Sequence, residues 1–277
     1  MALPTFLILG AARAGTSALH QWLDQHPDVC VSRPAETQFF SLHADRGLEP
    51  YESFFDHYGG EAAVGESTSS YLTLPHVPAR IAPVLPSVSL IAVLRDPVRQ
   101  AFASWWMMRR LGVERRPFAD AVMGEMMLAP LAEDESEEYW SALHGAVTAR
   151  TPRDDVRYLE EGYYQAALER YLKYFDRRQL TVLFHDDLVR TPGTVAAKLA
   201  EAVRVDPARA PVAEPARMTD VATPQAATPM DPDAPPELDA GLHDALVTHF
   251  AAANAGLTDL LGDEVPWLVA RERRRAW

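Results

Sequence analysis

The sequence predicts an α/β protein built on a parallel sheet, and three observations predict it. Short apolar runs rich in strand formers stand at Thr5–Leu9 (TFLIL), Val88–Leu94 (VSLIAVL) and Leu180–Phe184 (LTVLF). Each adjoins a stretch whose apolar residues recur at helical spacing. The second run has no polar alternation, the pattern of a strand covered on both faces, as in a parallel sheet.

In chain order, TFLIL runs into Gly10-Ala-Ala-Arg-Ala-Gly15-Thr16-Ser17. Leu19, Trp22 and Leu23 then keep helical spacing until His26-Pro27 ends the pattern, which reads as strand, glycine-bearing loop, helix. Val29–Val31 and Ala63–Val64 are shorter strand candidates. VSLIAVL ends in Arg95-Asp96-Pro97, with a helix expected from about Val98 to Arg110 and Pro97 in its first turn. Residues 115–155, with the acidic run Glu133–Glu138 beside Tyr139-Trp140, read as a helical insertion or lid. Tyr163–Phe175 is helix-like and precedes LTVLF. Residues 206–236 hold eight of the 22 prolines and read as an irregular loop. Leu238, Leu242, Leu246 and Phe250 step by four along a closing helix. The whole, 1–277, is expected to form a single domain, P-loop-like in its opening strand, loop and helix.

Composition narrows the function. With 48% hydrophobic residues the chain is not intrinsically disordered. No apolar run reaches the ~18–20 residues of a membrane span. The apolar start lacks a preceding basic residue and is broken by Arg13, which argues against a leader peptide. The single cysteine, Cys30, excludes a disulfide framework and a cysteine zinc site, and fits a cytoplasmic protein. Nine histidines show no ligand-spaced cluster, so no metal is expected. A net charge of −13 opposes nucleic acid as a partner but leaves room for a small anion held by local arginines.

Three constellations carry candidate chemistry. Gly10-x4-Gly15 between strand and helix turns successive N–H groups toward one point, and the helix end adds roughly half a positive charge. A nucleoside-triphosphate loop would continue with Lys; here Thr16 and Ser17 follow, and the positive charge is Arg13, inside the loop. Arg95 stands at the carboxyl end of a buried strand, where open α/β sheets bind ligands; Ser104 on the next helix adds a hydroxyl. An Arg95–Asp96 surface pair is the structural alternative. In Glu36-Thr37-Gln38-Phe39-Phe40 an extended backbone would put Glu36 and Gln38 on one side, with an apolar wall raising the basicity of the carboxylate.

Together these segments resemble the sulfotransferases that use 3′-phosphoadenosine 5′-phosphosulfate (PAPS), nearest to the heparan-sulfate and soluble bacterial branch. Phe6–Pro27 is similar to the 5′-phosphosulfate loop and Ser32–Phe40 to the segment bearing the catalytic base. Gly65–Leu72 is similar to a substrate-side segment, Leu90–Trp105 to the 3′-phosphate motif, and Asn254–Gly262, with Trp267 beyond, to the closing helix. The resemblance implies Glu36 as base, with Arg13 steadying the leaving group. It implies donor contacts from Arg13, Ala14, Gly15, Thr16, Ser17, Arg95, Ser104 and Arg217. Gln38, Phe39, Phe40, Ser67, Tyr71 and Trp105 are the implied acceptor contacts. Two positions depart from the pattern: the family's motif serine falls on Ala103, beside Ser104, and a frequent lysine is Ser67. His76 is a rival base. The net charge of −13 disfavours heparan-like chains, and the expected acceptor is a small molecule's hydroxyl, such as that of a bacterial natural product. A P-loop kinase or NTPase, or a non-catalytic nucleotide-binding protein, are the alternatives.

Overall fold

The computed structural model describes residues 3–128, 130, 133–209, 238–262 and 264–268. Arg217 and positions 210–236 of the proline-rich stretch lie outside the described residues. The strands are β1 (Phe6–Gly10), β2 (Val29–Val31), β3 (Ala63–Ser67), β4 (Ser89–Leu94) and β5 (Leu180–Phe184). The first helices are α1 (Thr16–Asp24), α2 (Leu48–Glu52), α3 (Val77–Ile81), α4 (Pro97–Arg110), α5 (Phe118–Met126) and α6 (Glu133–Ala149). They are followed by α7 (Tyr164–Leu172), α8 (His185–Arg190), α9 (Pro192–Val203), α10 (Ala240–Ala253) and α11 (Leu257–Leu261). The chain packs as two compact units, divided after Leu94 and again before Arg170.

The first unit holds all five strands, parallel throughout, in the order β2-β3-β1-β4-β5. Every residue of β1 is buried, and all of β4 after Ser89, as their apolar runs require; β3 is buried throughout although it carries Glu66 and Ser67. The chain steps outward from β1 to β2, returns through β3, then crosses to β4 on the other flank. Such a reversal of strand order, here beside β1, is where open α/β sheets bind ligands at their carboxyl ends. The register of β1 on β4 shifts between Ile8 and Gly10. Ala11 then donates its N–H to the Val93 carbonyl at 2.8 Å, so sheet bonding runs into the first loop residue. Beyond the loop, α1 buries Ala18, Leu19, Trp22 and Leu23.

In the second unit Asp96 caps α4, its Oδ1 accepting the N–H groups of Val98 (2.9 Å) and Arg99 (3.1 Å), and Pro97 opens the helix as its fixed φ favours. Val98, Ala101 and Trp105 pack with Phe118 and Val122 of α5, Leu143 of α6, and Leu246 and Phe250 of α10. Within residues 115–155, α5 and α6 supply Phe118, Val122 and Leu143 to this core. Glu125 of α5 is buried within the unit. Its carboxylate accepts the N–H groups of Tyr158 (2.6 Å), Leu159 (2.8 Å) and Glu160 (3.2 Å). Burial pushes the Glu125 carboxyl up to about 7, against the pull of those N–H donors.

Candidate active site

The loop after β1 is shaped by two glycines in the left-handed half of backbone space, Gly10 at φ +139° and Gly15 at φ +109°. A Cβ on Gly10 would lie 2.5 Å from the Ser69 carbonyl oxygen, and one on Gly15 2.8 Å from Leu188 Cδ1. Only glycine fits either place. Arg13 between them is also left-handed, at φ +60°, and half-buried. Gly15 is the N-cap of α1 and no side chain caps that end. The positive pole of a nine-residue helix therefore points into the loop, beside buried Thr16 and half-buried Ser17. His185 Nδ1 lies 3.0 Å from the Ala14 carbonyl, donating in the tautomer with its hydrogen on Nδ1. Because a trans peptide sets C=O and N–H antiparallel, holding that carbonyl aims the Gly15 N–H the opposite way.

The Glu36 segment belongs to the same unit. Glu36 and Gln38 are not extended as the sequence reading expects but left-handed, at φ +59° and +54°. Their side chains meet nonetheless. Glu36 Oε2 accepts from Gln38 Nε2 (3.2 Å) and from the Ser69 N–H (3.0 Å), and the Glu36 N–H donates to the Ser67 carbonyl (2.8 Å). Gln38 Oε1 in turn accepts from the hydroxyls of Ser41 (2.7 Å) and Ser70 (2.9 Å), which fixes the amide's orientation. A single π-helical turn, Phe39–His43, follows. His76 Nε2 and Arg80 Nη1 both reach the Ser41 carbonyl at 3.1 Å, so the rival base lies against the main chain of that turn.

Several expected contacts are corrected by burial. Glu36 itself is exposed, and no apolar wall covers it. Phe39, Phe40 and Tyr71 are 2% exposed or less and pack with Tyr51, Phe39 stacking on it at 4.2 Å between ring centroids. Side chains so enclosed support the turn from beneath and do not meet an incoming acceptor. Trp105 is likewise core, its indole N–H donating to the Arg116 carbonyl. Ser67 is buried and serves through its main-chain carbonyl. Beneath Thr37 lies wholly buried Glu66, which accepts from the hydroxyls of Thr37 (2.5 Å), Tyr51 (2.7 Å), Thr68 (2.7 Å) and Tyr71 (3.0 Å). Burial pushes both phenols, and Glu66, above their ordinary values, so the tyrosines stay hydrogen donors.

In the second unit Arg95 is half-buried directly after β4. Beside it, Asp96 Oδ1 accepts the N–H groups of the α4 cap. Ser104 does not stand in for the hydroxyl missing at Ala103. It is buried, donates to Glu161 Oε2 (2.9 Å) and accepts from Gln100 Nε2 (3.1 Å). One helical step of ~100° separates it from half-exposed Ala103, and the carboxylate it faces would repel a phosphate.

Among the described residues no helix is long and apolar enough to cross a membrane. Residues 3–208 match the family model described as the sulfotransferase domain. A sulfotransferase structure from Alicyclobacillus acidocaldarius aligns with TM-score 0.73 at 24% identity, covering 96% of this chain and 98% of that one, a likeness of fold. Bifunctional heparan sulfate N-deacetylase/N-sulfotransferase 3 of Homo sapiens is 27% identical over 201 residues, 70% of this chain and 21% of that protein. Membrane-associated sulfotransferase kil1 of Dictyostelium discoideum is 29% identical over 108 residues, 38% of this chain and 23% of that protein. The chain thus spans roughly a fifth of the length of these curated relatives. With the family model covering most of its length and the five-stranded parallel sheet in place, this chain belongs to the sulfotransferase-domain family.

Proposed function

We propose that the protein transfers a sulfuryl group from PAPS to a hydroxyl of a small-molecule acceptor. The observation that carries this reading is the position of Ser69. Its carbonyl packs against Gly10 at the root of the anion loop, and its N–H holds the Glu36 carboxylate. A helix N-terminus suited to an anion and a fixed carboxylate suited to a proton are thus tied to one residue through its two flanking peptides, as in-line transfer from an anionic donor demands.

The loop fits the 5′-phosphosulfate of that donor: N–H groups at an uncapped helix end, two hydroxyls and a guanidinium, with no ammonium for a triphosphate. PAPS supplies sulfur bonded to a good leaving group. Arg13 and the N–H groups of Gly15, Thr16 and Ser17 take up charge as the bond from sulfur to the bridging phosphate oxygen breaks; the expected Ala14 N–H is instead bonded to the Ala11 carbonyl at 3.2 Å. Glu36 accepts the acceptor's hydroxyl proton as the new oxygen–sulfur bond forms, and Gln38 keeps its carboxylate in place. Arg95, in the second unit, is assigned to the 3′-phosphate. As in phosphoryl transfer, positioning and electrostatics provide most of the acceleration.

Calorimetry with adenosine 3′,5′-bisphosphate tests the donor assignment, and mass spectrometry of a hydroxyl-acceptor panel incubated with PAPS tests transfer. Heat from the bisphosphate and an added sulfo group on a panel member are expected. Heat from ATP with none from the bisphosphate overturns the reading.

A further inference from the structure

We infer that Glu66 is a positioning residue, its carboxylate holding three hydroxyls that cap the turn bearing Gln38 and, through Thr37, fix Glu36. The inference rests on the reading of Glu36 as the base.

Consecutive N–H groups at the start of the π-helical turn each find a hydroxyl. Gln38 N–H donates to Thr68 Oγ1 at 3.4 Å, Phe39 N–H to Thr37 Oγ1 at 3.3 Å, and Phe40 N–H to the Tyr71 hydroxyl at 3.0 Å. All three of these hydroxyls also bond Glu66, Thr37 and Thr68 at Oε2 and Tyr71 at Oε1. Tyr51 completes the set at Oε1.

The direction of these bonds follows from the chemistry of the groups. A hydroxyl has one hydrogen and two lone pairs and can face a partner either way. Four hydroxyl donors favour the ionised form of Glu66 against the upward push of burial, and that form only accepts, so each hydroxyl spends its hydrogen on Glu66 and must turn a lone pair toward the main chain. The first N–H groups of a helical turn have no partner within the turn and need outside acceptors. Glu66 thus converts three ambivalent hydroxyls into three acceptors aimed at successive N–H groups. Thr37 is the shared member: it belongs to the cap and lies between Glu36 and Gln38, the two left-handed residues whose side chains bond each other. In a turn without this anchor the carboxylate of Glu36 would lose its register with Ser69 and Gln38.

An amide at this position cannot do the same. If the nitrogen of a glutamine replaced Oε2, the hydroxyls of Thr37 and Thr68 would accept from it, and if it replaced Oε1, those of Tyr51 and Tyr71 would. Either way two hydroxyls lose the acceptor that fixed their hydrogens, and their remaining lone pairs are no longer held toward the main chain.

The test compares Thr37→Val, which keeps shape and removes the hydroxyl, with Thr37→Ser, which keeps the hydroxyl; Glu66→Gln is added where it folds. Amide hydrogen exchange over 37–43, turnover of PAPS with the hydroxyl panel, and calorimetric affinity for adenosine 3′,5′-bisphosphate are measured on the full chain. Thr37→Val and Glu66→Gln are expected to speed exchange at 38–40 about tenfold and lower kcat at least about tenfold, leaving bisphosphate affinity within about twofold; Thr37→Ser restores both. Unchanged exchange in Thr37→Val, or failure of Thr37→Ser to restore it, overturns the capping role. Faster exchange with unchanged kcat overturns the link to Glu36. Wild-type protein that neither binds the bisphosphate nor transfers sulfuryl overturns the proposed function instead, while the exchange data still decide the cap.

Discussion

The Ser69 N–H donates to Glu36 Oε2 at 3.0 Å, while the Ser69 carbonyl lies where a side chain on Gly10 would have to go. One residue just beyond β3 therefore sets both the carboxylate and the root of the anion loop. Their separation depends on the path of β3 beside β1, which is fixed by the parallel register Phe6↔Gly65, Leu7↔Glu66, Ile8↔Ser67. Loop strain is concentrated at the same place, since Arg13, Glu36 and Gln38 are all left-handed without being glycine.

Glu36→Gln leaves a group of the same shape whose oxygen can still face the Ser69 N–H. Fold and loop should persist, and only proton acceptance is removed. Turnover is expected to fall by at least ~10²-fold with adenosine 3′,5′-bisphosphate affinity nearly unchanged. Steady-state kinetics paired with calorimetry check this; retained turnover removes Glu36 as the base.

Arg13 holds a backbone conformation that costs a non-glycine residue about 1–2 kcal/mol. Arg13→Gly relieves that cost and deletes the guanidinium. The variant is expected to match or exceed the wild type in melting temperature while binding the bisphosphate ~10-fold or more weakly. Loss of both stability and affinity would mean that Arg13 serves the fold rather than the anion.

His185 approaches the loop through the Ala14 carbonyl. His185→Ala removes that bond and should weaken bisphosphate binding by roughly 3–10-fold, the worth of one hydrogen bond. His185→Asn, whose amide N–H can reach the same carbonyl, should recover most of it. Titration calorimetry on the pair decides; equal affinities in both variants and the wild type would show that the Ala14 carbonyl needs no anchor.

The sheet was legible in the sequence because β1, β4 and β5 are continuous apolar runs, and a strand buried on both faces leaves that mark whatever its partners. The loop was legible because Gly10 and Gly15 sit where backbone geometry admits no other residue. Glu66, Tyr51 and His185 left no such signal. Glu66 gathers hydroxyls from 2 to 29 residues away and His185 meets a carbonyl 171 residues away, so no single spacing marks them. Phe39, Phe40 and Tyr71 misled for a related reason: an aromatic run beside a carboxylate reads the same whether the rings face a ligand or the core. Ser104 failed by a single helical step, which adjacency in sequence cannot reveal.

Glu125 gives stability a pH dependence of known sign. Burial lifts its carboxyl from an ordinary 4.5 to about 7 in the folded protein. Between those values the folded chain holds a proton that the unfolded chain has released. The contribution is therefore fully present below about 4.5 and is lost as pH rises through about 7, a difference of about 3 kcal/mol for this one group. Other groups titrate over the same range, so the wild type must be compared with Glu125→Gln, an uncharged mimic of the protonated form. Urea unfolding at pH 5 and pH 8 should show the variant gaining on the wild type by about that amount at the higher pH. A gap that stays constant, or that moves toward the wild type as pH rises, would mean that the N–H groups of Tyr158, Leu159 and Glu160 keep Glu125 ionised throughout.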